Sequence, residues 1–152
     1  MSGKFSIELA HHHTAICVSH WETSAAFYRQ LGFTVVNDWY WPDGVKNHKS
    51  LLRFGEKPDC WLELFEYPEG KGKLTDDYTE APGCVYQFAM ETMEESGVDL
   101  MYAHALSAGG SAVAPPHDVR LKGSRGVWSF REATVAGPDG EHITFIYDRG
   151  DK

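Results

Sequence analysis

The imidazole of His13 and the carboxylate of Glu63 are the two groups in this sequence whose setting points most directly to chemistry. His13 heads the strand-like run His-Thr-Ala-Ile-Cys-Val, and Glu63 sits inside Cys60-Trp-Leu-Glu-Leu-Phe65. A histidine and an acid on neighbouring strands serve one of two ends: they ligate a borderline divalent cation, or they move a proton. Between Trp61 and Phe65, Glu63 loses hydration, and a poorly hydrated carboxylate is a stronger base toward a hydrogen on carbon beside a carbonyl. The plainer alternative is a carboxylate neutralised by His13 or Arg53, with no reaction attached.

Other side chains suit ligand recognition. Trp39, Tyr40, Trp41 and Trp61, with Phe65, would wall a flat ligand by stacking, unless they are core or an interface between copies. Arg131 stands in a strand-like run, and if directed at a cavity it would hold a carboxylate in a two-pronged fork. Arg120, Lys122 and Arg125 fall in the Gly- and Pro-containing stretch Pro115 to Gly126, which reads as a mobile loop able to close over an anion or as a solvated charge run. His20, His104 and His117 read as surface or capping residues. The nucleophile elbow, the phosphate-binding and dinucleotide-binding glycine loops and paired cysteines are all absent, which argues against hydrolase, nucleotide-phosphate and dithiol readings.

These residues must be positioned by a chain of 152 residues, long enough for one domain spanning 1–152 with a core that needs no staple. The formal net charge of −8 disfavours nucleic-acid phosphates and anionic membranes as partners and leaves small molecules or proteins. The three cysteines, Cys17, Cys60 and Cys84, lie in apolar segments without metal or redox spacing, as buried thiols in a reducing cytoplasm do. No apolar run reaches the roughly 18 residues a spanning helix needs, so a cytoplasmic location is expected.

Hydrophobic spacing predicts a strand through Ile16 and Val18. A helix follows, carrying Trp21, Ala25, Tyr28 and Leu31, with Ser19-His20-Trp21-Glu22 as its capping box and Gly32 at its end. Strands are expected at Phe33 to Trp41, His48 to Phe54 and Cys60 to Tyr67. After the polar connector Pro68 to Pro82 the pattern restarts. Its parts are a strand with Val85, Tyr86, Phe88 and Met90, a capping box Thr92-Met93-Glu94-Glu95, a helix through Leu100 to Ala108, and strands at Ser111 to Ala114, Val127 to Val135 and His142 to Tyr147. The expectation is an α+β fold of two βαβββ modules, residues 5–67 and 83–148, whose helices cover one face of curved sheets. Strand alternation sends His11, His13, Ala15, Cys17, Trp61, Glu63, Phe65, His142, Thr144 and Ile146 to the opposite, hollow side.

The segments HTAICV, AFYRQLGF, WLELFEY and GPDGEHITF, within this order of elements, resemble the vicinal oxygen chelate superfamily of glyoxalase I, extradiol dioxygenases, fosfomycin-resistance enzymes and bleomycin-binding proteins. The resemblance implies a glyoxalase-like sheet pair, a small-molecule substrate, a homodimer, and a divalent metal ion held by one first-strand and one fourth-strand ligand from each module. It places His13 and Glu63 as the first pair. The third position falls on Val85 by strand alternation or Tyr86 by the capping-box spacing, and the fourth on Thr144. Valine and threonine do not ligate such ions, so a degenerate, weakly binding site is implied, with His11, His142 and His48 as substitutes. Two functions follow: a lyase- or isomerase-type proton-transfer enzyme using Glu63 and His13, or a non-catalytic protein that binds an antibiotic or metabolite.

Overall fold

A computed structural model describes residues 12–40, 48–55, 61–66, 87–124 and 126–151. The first module runs β1 (Thr14–Val18), α1 (Trp21–Gln30), β2 (Phe33–Tyr40), β3 (His48–Phe54) and β4 (Trp61–Glu66). The second runs β5 (Phe88–Glu91), α2 (Glu95–Ser107), β6 (Ser111–Gly123), β7 (Gly126–Ala136) and β8 (His142–Asp151). Each module folds its strands into one four-stranded sheet, ordered β1-β4-β3-β2 and β5-β8-β7-β6. In both, the first strand lies parallel to the fourth and the rest pair antiparallel. The fold is the α+β pair of βαβββ modules that the hydrophobic pattern predicts.

The alternation of side chains is also as read. Val18, Leu52, Leu62 and Leu64 from the first sheet and Val135, Ile143 and Phe145 from the second are buried with Trp21, Ala25, Tyr28 and Ala105 of the helices. Burying a side chain of this size contributes about 1.5–3 kcal/mol, so a one-residue slip of any of these strands would expose several such groups at once. Both helices end on a left-handed glycine, Gly32 and Gly109, at φ of 102° and 105°. Gly110 N–H reaches Ala105 O at 2.9 Å and Gly109 N–H reaches Leu106 O at 3.2 Å, the double bond of a Schellman end.

Neither capping box forms. The residues preceding the helices are His20 and Glu94, without a side-chain cap. The first turn of α1 is satisfied by distant carboxylates instead: Trp21 N–H donates to Glu66 at 2.9 Å, and Ser19 gives its N–H (3.0 Å) and its hydroxyl to Asp139 of the second module. Negative charge at a helix N-terminus is favourable whichever part of the chain supplies it. Thr92 turns its hydroxyl to the Glu94 carbonyl at 2.9 Å.

The stretch Pro115 to Gly126 is not a mobile loop. Its described residues other than Ser124 are strand, and β6 and β7 pair from Ser111↔Ala136 to Gly123↔Gly126. Pro115 and Pro116 suggest a break, but β6 is an edge strand. The pairing shifts between Ala114 and His117, where prolines without an N–H are tolerated.

The modules are tied by the turn between β7 and β8. Glu141, 7% exposed, accepts the Tyr28 hydroxyl at 2.6 Å and the Asp139 N–H at 3.0 Å. A side chain at Gly137 would collide with that carboxylate, 2.3 Å from its nearest oxygen, so only glycine leaves room for it. His104 of α2, read from sequence as a surface residue, reaches the Gln30 carbonyl at the end of α1 at 2.6 Å and is a second tie.

Tyr28→Phe would leave the buried Glu141 carboxylate short of a partner, and a loss of about 1–3 kcal/mol in urea unfolding near neutral pH is expected; an unchanged midpoint would refute the tie. Burial pushes the Glu141 carboxyl above its ordinary range, against hydrogen bonds from Tyr28 and from backbone amides that favour ionisation. The folded protein then keeps a proton that the unfolded chain has lost. Stability should therefore fall as pH rises from the ordinary carboxylate range through the raised folded value. Glu141→Gln should remove that slope in a stability series across pH.

Candidate functional site

Parallel pairing of β1 with β4 sets Ala15 beside Glu63, and His13, two residues before Ala15, falls on the same face. His13 Nε2 lies 3.1 Å from Glu63 Oε2, with side-chain exposures of 36% and 14%. The two groups singled out in the sequence do meet. His13 Nδ1 is also 2.8 Å from Nδ1 of His12, a residue the sequence reading passed over. The two ring nitrogens of His13 thus face a carboxylate on one side and a second imidazole on the other.

The second module repeats this geometry with different chemistry. Phe88 pairs with Ile143 and Ala89 with Thr144, as Thr14 pairs with Leu62 and Ala15 with Glu63. Phe88 also stands to Glu95, the start of α2, as Thr14 stands to Trp21, the start of α1. Gln87 is therefore the counterpart of His13, and Thr144 that of Glu63. This corrects the assignment to Val85 or Tyr86, which lie outside the described residues. The capping box at Thr92, whose spacing pointed to Tyr86, does not form. The Thr144 hydroxyl donates to Gln87 Oε1 at 2.8 Å and lies 2.8 Å from the Thr134 hydroxyl.

A small cleft between the modules is lined by Thr14, Ala15 and Ile16 of β1 together with Gln87, Phe88, Glu141 and His142. It brings the beginnings of β1 and β5 to one place. His142 lines the same cleft as Gln87. His11 and Trp41, the side chains of Trp39, His48 and Trp61, and Cys60, Cys84 and Arg125 lie outside the described residues. Phe65 pairs with Cys17 across β1 and β4, on the Glu63 face. Burial, and secondarily the Asp139 charge, pushes the Cys17 thiol up, so it is not an activated nucleophile.

Arg131 is turned away from the hollow. It forms a two-pronged bond to Asp99 of α2, 2.8 Å on each arm, and a 3.1 Å bond to Asp118. It shares the helix-covered face with Ala133 and Val135, which are buried against the core. The guanidinium holds the Asp99 carboxyl below its usual range, and the expected substrate fork is corrected to a strand-to-helix tie. On the hollow face of the same strand stand Trp128 and Phe130, with ring centres 4.4 Å apart, and Glu132, 3.5 Å from His117. Trp128 is 40% exposed. Its alternation with Phe130 was visible in the sequence and passed unused.

The donors at the four equivalent positions are an imidazole, a carboxylate, an amide oxygen and a hydroxyl. The amide oxygen already accepts from Thr144, and the Thr144 hydroxyl is fully buried and engaged with its two neighbours. Among the described residues no group of three or more histidine, cysteine or acidic side chains could hold a metal ion. The set does not fit a four-ligand divalent centre, since the second pair offers no anionic or imidazole donor.

A model of the Glyoxalase/Bleomycin resistance protein/Dioxygenase superfamily matches residues 10–145. Among solved structures, the chain is similar to a glyoxalase family protein from Enterococcus faecalis (23% identity, 89% of this chain and 94% of that one, TM-score 0.65). It is also similar to a glyoxalase family protein from Bacillus cereus (13%, 97% and 99%, TM-score 0.65). A third similarity is to glyoxalase I from Zea mays (21%, 94% of this chain and 46% of that one, TM-score 0.63). At these identities the likeness is one of fold. No curated protein matches the sequence. No helix among the described residues is long and apolar enough to cross a membrane.

With His13 and Glu63 the only strong donors at the four equivalent positions among the described residues, dialysis against micromolar zinc or nickel should leave well under one equivalent of metal per chain by elemental analysis. A full equivalent that His13→Ala removes would show that other residues complete the centre.

Proposed function

Because the chain belongs to the Glyoxalase/Bleomycin resistance protein/Dioxygenase superfamily, we propose that it is a lyase- or isomerase-type proton-transfer enzyme acting on a small organic metabolite held in the hollow between its sheets. The observation that carries this reading is the 3.1 Å contact of His13 Nε2 with Glu63 Oε2 on the hollow face. Glu63 is the base. It takes a proton from a carbon beside a carbonyl, and the bonding pair moves toward the carbonyl oxygen to form an enolate. Once Glu63 is neutral, the Nε2 hydrogen of His13 is better given to an anionic oxygen than to a carboxylic acid, so His13 follows the charge. Where the deprotonated carbon carries a hydroxyl, delivery of the proton to the former carbonyl carbon, with the hydroxyl proton passing to the enolate oxygen, gives an isomerase; expulsion of a leaving group, with its electron pair, from the carbon on the other side of the deprotonated one gives a lyase.

A second reading is supported by the Trp128–Phe130 pair and by the neutral Gln87–Thr144 half-site: a protein that binds a flat antibiotic or metabolite without turning it over. Either function would be carried out by a homodimer in the cytoplasm.

Glu63→Gln keeps the shape of the site and removes the base, so turnover of a substrate found by screening should fall about 10²–10⁴-fold with little change in binding. Full activity in that variant would rule out Glu63 as the proton shuttle. Trp128→Ala should leave the proton-transfer rate intact and weaken binding under the second reading.

A further inference from the structure

Gln87 holds the place in the second module that His13 holds in the first, and its amide is oriented by two buried hydroxyls. Thr134 and Thr144, 7% and 0% exposed, lie with their oxygens 2.8 Å apart, and Thr144 donates to Gln87 Oε1 at 2.8 Å. With the Thr144 hydrogen committed to Gln87, the Thr134 hydroxyl must be the donor to Thr144. The order Thr134 to Thr144 to Gln87 is therefore directional. It claims the oxygen end of the amide from the protein side, and among the described residues the nitrogen end, with its two hydrogens, has no hydrogen-bond partner. Gln87 itself is exposed and lines the cleft shared with the start of β1. An amide whose oxygen is held by a buried hydroxyl turns its N–H groups the other way, as a positioned donor.

We propose that Gln87 is a catalytic residue that donates from Nε2 to the carbonyl oxygen of the substrate. The substrates are then small ketones, aldehydes or related carbonyl compounds bearing a hydrogen on the adjacent carbon. Gln87 supplies, as a neutral hydrogen bond, the polarisation that a positively charged group would otherwise supply at this position. Its role in turnover rests on the proton-transfer reading above, whereas the hydrogen bond to a carbonyl oxygen does not. When the proton on carbon passes to Glu63, the electron pair moves into a carbon–carbon double bond and charge gathers on the oxygen facing Gln87. Both return when the proton is delivered back, and no oxidant or reductant enters. Thr144 and Thr134 are positioning residues, acting only through the amide.

The test uses the full chain and two probes of one shape, cyclopentanone and methylenecyclopentane, which differ by an oxygen against a CH₂. In nitrogen-15 spectra the side-chain amide pair of Gln87 should shift on titration with the ketone and stay in place with the alkene. Thr144→Val, which removes the orienting hydroxyl, should cut the ketone-induced shift at least twofold, and Thr144→Ser should restore it. Gln87→Glu should abolish the preference for ketone over alkene in ligand-observed spectra. Equal responses to both probes in the native protein, or a preference that survives Gln87→Glu, would overturn the proposal. No turnover is involved, so this experiment can fail while Glu63 proves essential for turnover, and can succeed if Glu63 proves dispensable.

Discussion

In each module the first strand enters the sheet parallel to the fourth, and that pairing decides which side chains can act together. A parallel neighbour lies at the end of a long connection, so its register is held by what both strands bury on the other face. Here Ile16 and Val18 beside Leu62 and Leu64 hold the first register, and Phe88 and Met90 beside Ile143 and Phe145 hold the second. With those apolar pairs in place, His13 and Glu63 have no choice but to share the hollow face, and Gln87 and Thr144 have none either. The chemistry on one face is thus indexed by packing on the other.

The second constraint is between modules. A sheet of four strands with one helix buries only one side of its hydrophobic surface, and the cleft at the starts of β1 and β5 exists because the two units are docked. The docking is polar as well as apolar. The turn after β7 places Asp139 at the first turn of α1 and Glu141 against Tyr28, while His104 meets the far end of the same helix. One helix is therefore gripped at both ends by the other module. The Glu141 carboxylate is the exacting member, since it is buried and depends on a hydroxyl from another module and on a glycine that leaves it room.

The two modules present the same pair of positions with different chemistry. The first keeps an imidazole and a carboxylate, groups able to take up and release a proton. The second has an amide and a hydroxyl, which only donate and accept, fixed by a third hydroxyl from β7. Both pairs keep the same contact between the residue before the first strand and the residue on the fourth, so the backbone geometry was retained while the electrostatics changed.

The sequence by itself determined the elements and their faces. Period-two alternation in WLELF and HITFIY, the helical spacing of Trp21, Ala25, Tyr28 and Leu31, and the glycines after each helix are local signals, and each names its own buried side. Through them the sequence brought His13 and Glu63 to one face and recovered the βαβββ repeat. What depended on partners distant in the chain was not legible. Ser19 and Glu22 carry the pattern of a local cap, yet Asp139 and Glu66 take its place because carboxylates from elsewhere reach the same orphan N–H groups. Arg131 alternates correctly, but only the arrival of Asp99 on α2 tells which face claims its charge. Pro115 and Pro116 look like a break until β6 proves to be the edge of the sheet among the described residues, with its pairing to β7 shifted at the two prolines. The identity of the third site residue turned on the register between β5 and β8, which is held by Phe88, Met90, Ile143 and Phe145 together and is therefore a property of the packed structure, not of any one strand.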